Sequence, residues 1–361
     1  MGKWRTGSLT AALGCIALGV LLVLIQLGTL DDQALGYVWP ALLIALGLET
    51  LFRLLFRTGG GRTNGWAIVL IIAIGLGSAV PSVLGDGTLK EWFGKKYLSQ
   101  VQGEKEIGAQ IRQVRISITT GKIRLTGTEN ETVTYEGKLR SPGTSQSESD
   151  AALNKNWSVR EEGDTLILEQ KAPSKWSTLI FGFSKGPYLN VTLPSRLAAT
   201  LSTSDGTLDV TGMENGLNAD TSNGKVVIQD VRGKVHADTS NGSLVLRRID
   251  GGVEASSSNG SITLEQLGGE VSASSSNGKI VIDSAIGGDW DCETSNGSIH
   301  LTVPQETDAL IKADTSSGSL EGNADWNKKD NDSTSGDVKL GGGSHTVQLS
   351  TTNGDVEANV E

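Results

Sequence analysis

Across 361 residues the sequence has only two cysteines, seven prolines, three histidines and 5% aromatic residues. Cys15 lies in an apolar run and Cys292 in a distant polar repeat. They do not pair, so a disulfide framework or a thiolate metal site is excluded. Cys292 reads instead as a small hydrophobe filling an interior slot. The shortage of aromatic rings leaves Val, Ile, Leu and Ala to build a thin core. Basic residues are also outnumbered, 31 Lys and Arg against 41 Asp and Glu, for a net charge of −10. That balance disfavours nucleic acid, whose phosphates need a basic face. His236, His300 and His345 fall in different repeats, with no repeat-linked nucleophile or acid beside any of them. No catalytic residue, metal cluster or cofactor site is expected from them.

Glycine, by contrast, is abundant at 47 residues, and its spacing shows the organisation. From Thr221 the chain reads TSNGKVVIQDVRGKVHAD, TSNGSLVLRRIDGGVEAS, SSNGSITLEQLGGEVSAS, SSNGKIVIDSAIGGDWDCE, TSNG. Gly224, Gly242, Gly260 and Gly278 recur every 18 residues and Gly297 follows after 19. A fixed period settles the architecture before any single segment is read. Residues two and four after each turn glycine are apolar (Val226/Ile228, Leu244/Leu246, Ile262/Leu264, Ile280/Ile282, Ile299/Leu301), the alternation of a strand with one inner face. Five residues before each turn glycine stands a small residue, Ala219, Ala237, Ala255, Ala273, Cys292 and Ala313, on a second strand. A second turn lies between the strands at Gly233, Gly251, Gly269 and Gly287. One repeat is therefore strand, turn, strand, turn, and coils must stack to bury their faces. The expectation is a β-solenoid with two strands per coil. Weaker copies of the register surround Gly121, Gly206, Gly318, Gly336 and Gly354. A left-handed hexapeptide helix is excluded, because aliphatic positions fall at 2, 4, 7, 11 and 13 after the glycine rather than every six.

Ahead of the repeats lie three apolar stretches at about 9–30, 35–56 and 66–84, each long enough to cross roughly 30 Å of hydrocarbon. Residues 1–86 thus read as a transmembrane region. Lys3 and Arg5 precede the first span, and Arg53, Arg57 and Arg62 separate the second from the third. The positive-inside rule places these segments in the cytoplasm and, with three spans, the remainder outside it. Glu49 and Arg53 share a helix face near the end of the second span. They form either an intrahelical pair reaching the interface or a contact for a partner helix. Residues 87–106 read as an amphipathic juxtamembrane linker, helical over Leu89–Val101. Residues 107–361 read as the β-solenoid, with regular coils over about 199–301. Within it, IRQVRISI, KIRLTG, TVTYEGKL and a WSVREEGDTLILEQ hairpin are strands, while SPGTSQSESD and ADWNKKDNDS read as loops. Trp176, Leu179, Ile180, Phe181, Phe183 and Tyr188 crowd one non-repetitive insertion, which either caps the solenoid or meets a partner.

The ITTGKIRLTG entry, the EEGDTLILEQ hairpin, LNVTLP and the serial TSNG coils together resemble the bacterial putative-adhesin family, whose fold is the toastrack β-solenoid. GCIALGVLLVLIQLGTL followed by YVWPALLIALGLETLFRLLFR resembles the transmembrane region of LiaI/LiaF-type envelope-stress proteins. These resemblances imply a non-enzymatic, multi-pass protein of the bacterial cytoplasmic membrane with an extracytoplasmic C-terminal domain. Other envelope or membrane proteins, a sensor kinase among them, are the implied partners, and self-association stays open. The alternatives are an adhesin binding cell-wall or foreign glycan and, third, a polysaccharide-acting enzyme.

The TSNG turns carry their own explanation. Asn-Gly suits a tight hairpin with positive φ, and the preceding Ser or Thr can bond the turn backbone. Asn223/Gly224, Asn241/Gly242, Asn259/Gly260, Asn277/Gly278 and Asn296/Gly297 are therefore expected to be structural, with stacked asparagines free to form an amide ladder. Trp176, Phe181, Phe183, Glu49 and Arg53 are the candidate partner contacts. The topology is tested by adding protease to spheroplasts. The solenoid should be removed, and full protection against a demonstrably active protease would place it in the cytoplasm.

Overall fold

The computed structural model describes residues 97–143, 145–171, 186–328 and 334–361. The chain divides into two compact units, and the described residues belong to the one formed by Lys95–Trp176 and Lys185–Glu361. The three expected spans lie outside the described residues, as do Glu49, Arg53, Trp176, Phe181 and Phe183. Among the described residues no helix is long and apolar enough to cross a membrane.

The fold opens with β1 (Tyr97–Glu106), β2 (Gln113–Thr120), β3 (Lys122–Thr128), β4 (Thr132–Ser141), α1 (Gln146–Asn156), β5 (Trp157–Glu162), β6 (Thr165–Gln170) and β7 (Tyr188–Pro194). The regular coils follow as β8 (Ala198–Asp205), β9 (Leu208–Met213), β10 (Leu217–Asn223), β11 (Val226–Val231), β12 (Val235–Asn241) and β13 (Leu244–Ile249). They continue through β14 (Val253–Ser257), β15 (Ile262–Leu267), β16 (Val271–Ser275), β17 (Ile280–Asp283), β18 (Trp290–Asn296) and β19 (Ile299–Val303). The chain closes with β20 (Ala309–Ser317), β21 (Leu320–Glu321), β22 (Asn327–Lys328), β23 (Ser335–Leu340), β24 (His345–Asn353) and β25 (Val356–Val360).

Even-numbered strands from β8 to β18 form one parallel sheet and odd-numbered strands from β9 to β19 the other. A parallel pair needs a long crossover, and here each crossover is the strand of the opposite sheet. Residue n therefore pairs with residue n+18, as Ala219 with Ala237 and Ala237 with Ala255. After Gly242, residues two, four and seven later (Leu244, Leu246, Ile249) face inward from one sheet. Residues eleven, thirteen and fifteen later (Val253, Ala255, Ser257) face inward from the other, and all six are buried. The odd step from four to seven comes from one kinked residue per coil: Gly212, Asp230, Arg248 and Gln266 adopt left-handed φ of 76°, 58°, 51° and 56°. Every coil kinks at the same position, so Gln229 still pairs with Arg247 and Val231 with Ile249, and the next apolar side chain returns to the interior. Burying each such Leu or Ile contributes roughly 1.5 to 3 kcal/mol, repeated along the stack. The 19-residue coil is the one that places Trp290 where its neighbour has Val271, with the indole Nε1 donating to the Gly269 carbonyl at 3.0 Å.

Several expectations are corrected. Residues 97–106 are a strand, paired over its whole length with β4, rather than the end of a juxtamembrane helix. The second half of the SPGTSQSESD segment begins α1: Ser145 caps it by accepting from the Glu148 amide, and buried Ser149 and Leu153 tie it to the domain. The Gly336 segment is not a coil, because β23 runs antiparallel to β20 and carries β22 on its outer edge.

Stacking order also departs from chain order at both ends. β2/β3 sit between β6/β7 and β8/β9, and β24/β25 sit between β18/β19 and β20/β21. The chain's early and late coils are thus each enclosed by others. Beyond them, antiparallel β1, β4 and β5 cover one end of the sheets and β22 and β23 one sheet at the other.

In a fragment starting at residue 95, Ala255→Leu should lower stability by about 1 to 3 kcal/mol through overpacking. Ser272→Leu, on the exposed face of β16, should stay within about 0.5 kcal/mol. Denaturant midpoints decide, and the opposite ranking would reverse the assigned faces.

Candidate functional site

Each letter of the TSNG corner has a separate physical task. The Thr or Ser three residues before the glycine is buried, and its hydroxyl donates to the glycine carbonyl of the previous coil: Thr239 to Gly224 at 3.3 Å, Ser257 to Gly242 at 3.2 Å, Ser275 to Gly260 at 3.2 Å and Thr294 to Gly278 at 2.9 Å. The asparagines form the amide ladder. Asn241, Asn259, Asn277 and Asn296 each donate to the Oδ1 of the asparagine before at 2.9 to 3.0 Å. Asn223 begins the ladder on Asp205 at 2.8 Å and Asn353 extends it beyond Asn296 at 2.9 Å.

The glycines are needed for a reason the sequence reading did not give. The corner joins strands of different sheets, not a hairpin, and Gly242, Gly260, Gly278 and Gly297 have no left-handed φ. A Cβ on Gly260 would instead overlap the carbonyl of Gly242, and the same holds coil after coil. The corner glycines are conditions of close stacking.

Beside these corners, the outer face of the even-strand sheet forms a polar groove of about 930 Å³. Ser240, Ser258 and Ser276 line it, together with Asp220, Asp238 and Glu293. The repeat brings together residues that their sequence positions separate. Asp220 pairs laterally with Asp238, and His236 with Glu254. His236 Nε2 lies 2.7 Å from Asp238 Oδ2 and its Nδ1 lies 3.4 Å from Glu254 Oε2. Lys234 approaches Glu254 at 3.5 Å, and the Ser256 hydroxyl donates to Asp238. Partial burial, and then the Asp238 charge, push the Asp220 carboxyl above its ordinary pKa, while His236 opposes the shift. Asp220, His236 and Asp238 offer ligand atoms all within 4.8 Å of one another.

This corrects the expectation that no histidine has a repeat-linked acid beside it. His300 does as well, its Nδ1 lying 2.7 Å from Glu357 Oε2 across β19 and β25. The missed signal was the 18-residue column itself: residues 18 apart are lateral neighbours, which makes Asp220/Asp238 and His236/Glu254 adjacent. Cys292 is fully buried, and burial pushes its thiol up to about 12, consistent with a packing role.

The family model described as Toastrack DUF4097 matches residues 111–359, and the LiaI-LiaF-like transmembrane region matches residues 9–51. The latter marks the N-terminal part as a membrane anchor. No curated protein matches the chain. Among solved structures, a putative adhesin from Bacteroides fragilis is similar at 15% identity and TM-score 0.41, covering 72% of this chain and 97% of its own. One from Parabacteroides distasonis is similar at 13% identity and TM-score 0.40, covering 74% and 98%. One from Parabacteroides merdae is similar at 12% and 0.38, covering 72% and 96%.

The corner chemistry is tested by two substitutions in one coil. Asn259→Ala removes the ladder bonds on both sides and should cost about 1 kcal/mol. Gly260→Ala forces two backbones apart and should cost more, about 1 to 3 kcal/mol. Midpoints from chemical denaturation rank them. An Asn259→Ala midpoint equal to that of the unsubstituted protein would show that the ladder adds nothing to the fold.

Proposed function

We propose, since the chain belongs to the Toastrack DUF4097 family, that it is a non-enzymatic, membrane-anchored envelope protein. In this reading its solenoid, held outside the cytoplasm by a multi-pass anchor, is a rigid scaffold for other membrane proteins. The observation that carries the reading is the union, in one chain, of a toastrack match over residues 111–359 and a LiaI-LiaF-like transmembrane match over residues 9–51. A solenoid locked by ladders and enclosed end coils has little room for the closing motions of an enzyme. The membrane region is more elaborate than tethering requires, which favours contact with a partner's helices and a role in modulating an envelope-stress signalling system, with a sensor kinase as the class of partner.

Outside the anchor segments, the partner surface is assigned to the insertion carrying Trp176, Phe181 and Phe183, because aromatic side chains dominate contact surfaces. Tyr188, the last aromatic residue of that stretch and the first residue of β7, is an exposed large hydrophobic side chain at 37%. In the membrane, Glu49 and Arg53 are the assigned contact. The polar groove supports a second reading, an adhesive module for cell-wall or foreign glycan. Against it, among the described residues no aromatic ring lines the groove on which a sugar could stack.

A photocrosslinking residue at Phe181 in living cells should capture another integral membrane protein, and one at Ser276 in the groove should not. Capture only at Ser276, together with retention of the solenoid on purified cell-wall glycan, would replace the scaffold reading with the adhesive one.

A further inference from the structure

On the outer face of the even-strand sheet, one column holds several acids, but Glu293 and Asp314 each lie beside a serine, whereas Asp220 and Asp238 lie beside one another. In the column of Asp220 and Asp238, the flanking residues are Ser202 on one side and Ser256 and Ser274 on the other. Serine is neutral and completes the column without strain. Two carboxylates directly opposite each other destabilise a sheet pair, so this stretch of the fold gains nothing from them. The imidazole of His236 stands against the same pair, and the three residues converge on one point of the groove.

We propose that Asp220, His236 and Asp238 bind one divalent transition-metal ion of the zinc class, through His236 Nε2 and one carboxylate oxygen from each aspartate. The ligand atoms already lie within 4.8 Å of one another, a separation that a small shift of side chains closes around an ion with bonds of about 2.0 to 2.2 Å. His236 is also held as a metal-bound histidine is held. Its other ring nitrogen, Nδ1, lies 3.4 Å from Glu254 Oε2, and Glu254 is approached by Lys234 at 3.5 Å. A carboxylate behind the imidazole orients the ring and fixes the tautomer that presents a lone pair to the metal. Without metal, Nε2 lies against Asp238 Oδ2 at 2.7 Å, and an ion would take its place between the two.

The donor set selects the class of ion. Calcium prefers six to eight oxygen ligands, whereas an imidazole with two carboxylates suits zinc and its neighbours. Three protein ligands leave a fourth position, which here opens onto the serine-lined groove. The proposal stands apart from the scaffold reading, since zinc binding and membrane crosslinking can each fail without the other.

The test is equilibrium dialysis of the full chain in detergent against zinc chloride near neutral pH. Circular dichroism shows that each variant keeps the fold. The unsubstituted protein should bind one zinc ion per chain. His236→Gln, Asp220→Asn and Asp238→Asn should each abolish that site, and Glu254→Gln should weaken it by about 10- to 100-fold. His300→Gln, which alters the separate pair with Glu357, should leave binding unchanged. The proposal is overturned if no zinc binds, if folded His236→Gln binds as the unsubstituted protein does, or if equimolar calcium displaces the zinc.

Discussion

Every part of this domain depends on one constraint: each coil lies on a copy of itself, with backbones close enough to form a parallel sheet on both sides at once. The crossover that brings residue n to residue n+18 is itself the neighbouring strand, so no helix or loop intervenes to absorb a mismatch. A side chain at the corner would meet the carbonyl of the coil before, and only glycine avoids it. Because identical positions stack, any residue able to both donate and accept forms a ladder with its own copies. Asparagine does so at the surface, while at the buried edge each Thr or Ser hydroxyl donates to the corner glycine carbonyl of the coil before. Chains of aligned hydrogen bonds polarise one another and strengthen together. Corner, ladder and core are consequences of the same stacking.

A stack of this kind has two open ends, and unpaired parallel edges invite pairing with another chain. The ends are closed by breaking the rule of the middle. Antiparallel strands take over at one end in both sheets, through β1, β4 and β5, and at the other through β22 and β23 in one sheet. At each end a coil from the outer part of the chain is enclosed between two others. Unravelling from either terminus would therefore require a coil to leave from between two paired neighbours. That arrangement suits a domain whose sequence begins next to a membrane anchor.

The middle of the fold was legible in the sequence because its signal is repeated. Positions 2, 4, 7, 11 and 13 after Gly224, Gly242 and Gly260 form apolar columns and all are buried, while after Gly278 and Gly297 only positions 2 and 4 keep that place. What escaped was whatever occurs once or depends on three-dimensional neighbours. α1 lies in a polar stretch where only Ser149 and Leu153 are buried, too few to show a helical stripe. The Gly336 segment imitates the repeat in composition while running antiparallel. The enclosed coils cannot be read from order along the chain, because stacking β24 before β20 leaves every local pattern unchanged. The glycine positions were identified for the wrong reason: Asn-Gly indicates a hairpin when one coil is considered alone, and only the carbonyl of the coil before supplies the actual requirement.

The histidine and aspartate cluster shows why the same periodicity helps in finding function. In an irregular fold, an exposed Asp beside an exposed His has no reference against which to be judged. Here each outward column states what the fold needs at that place, since its other members solve the same structural problem. Serine at positions 202, 256 and 274 shows that neutral residues suffice, and the column's other acids, Glu293 and Asp314, each lie beside a serine, so the stack does not explain two adjacent acids at Asp220 and Asp238. His236 likewise stands in a column with Asn218, Glu254 and Ser272, where no imidazole is required. A repeat removes the structural explanation for its own exceptions, and these three exceptions fall at one point of one groove. Folding gives no reason for that coincidence, whereas binding a cation does.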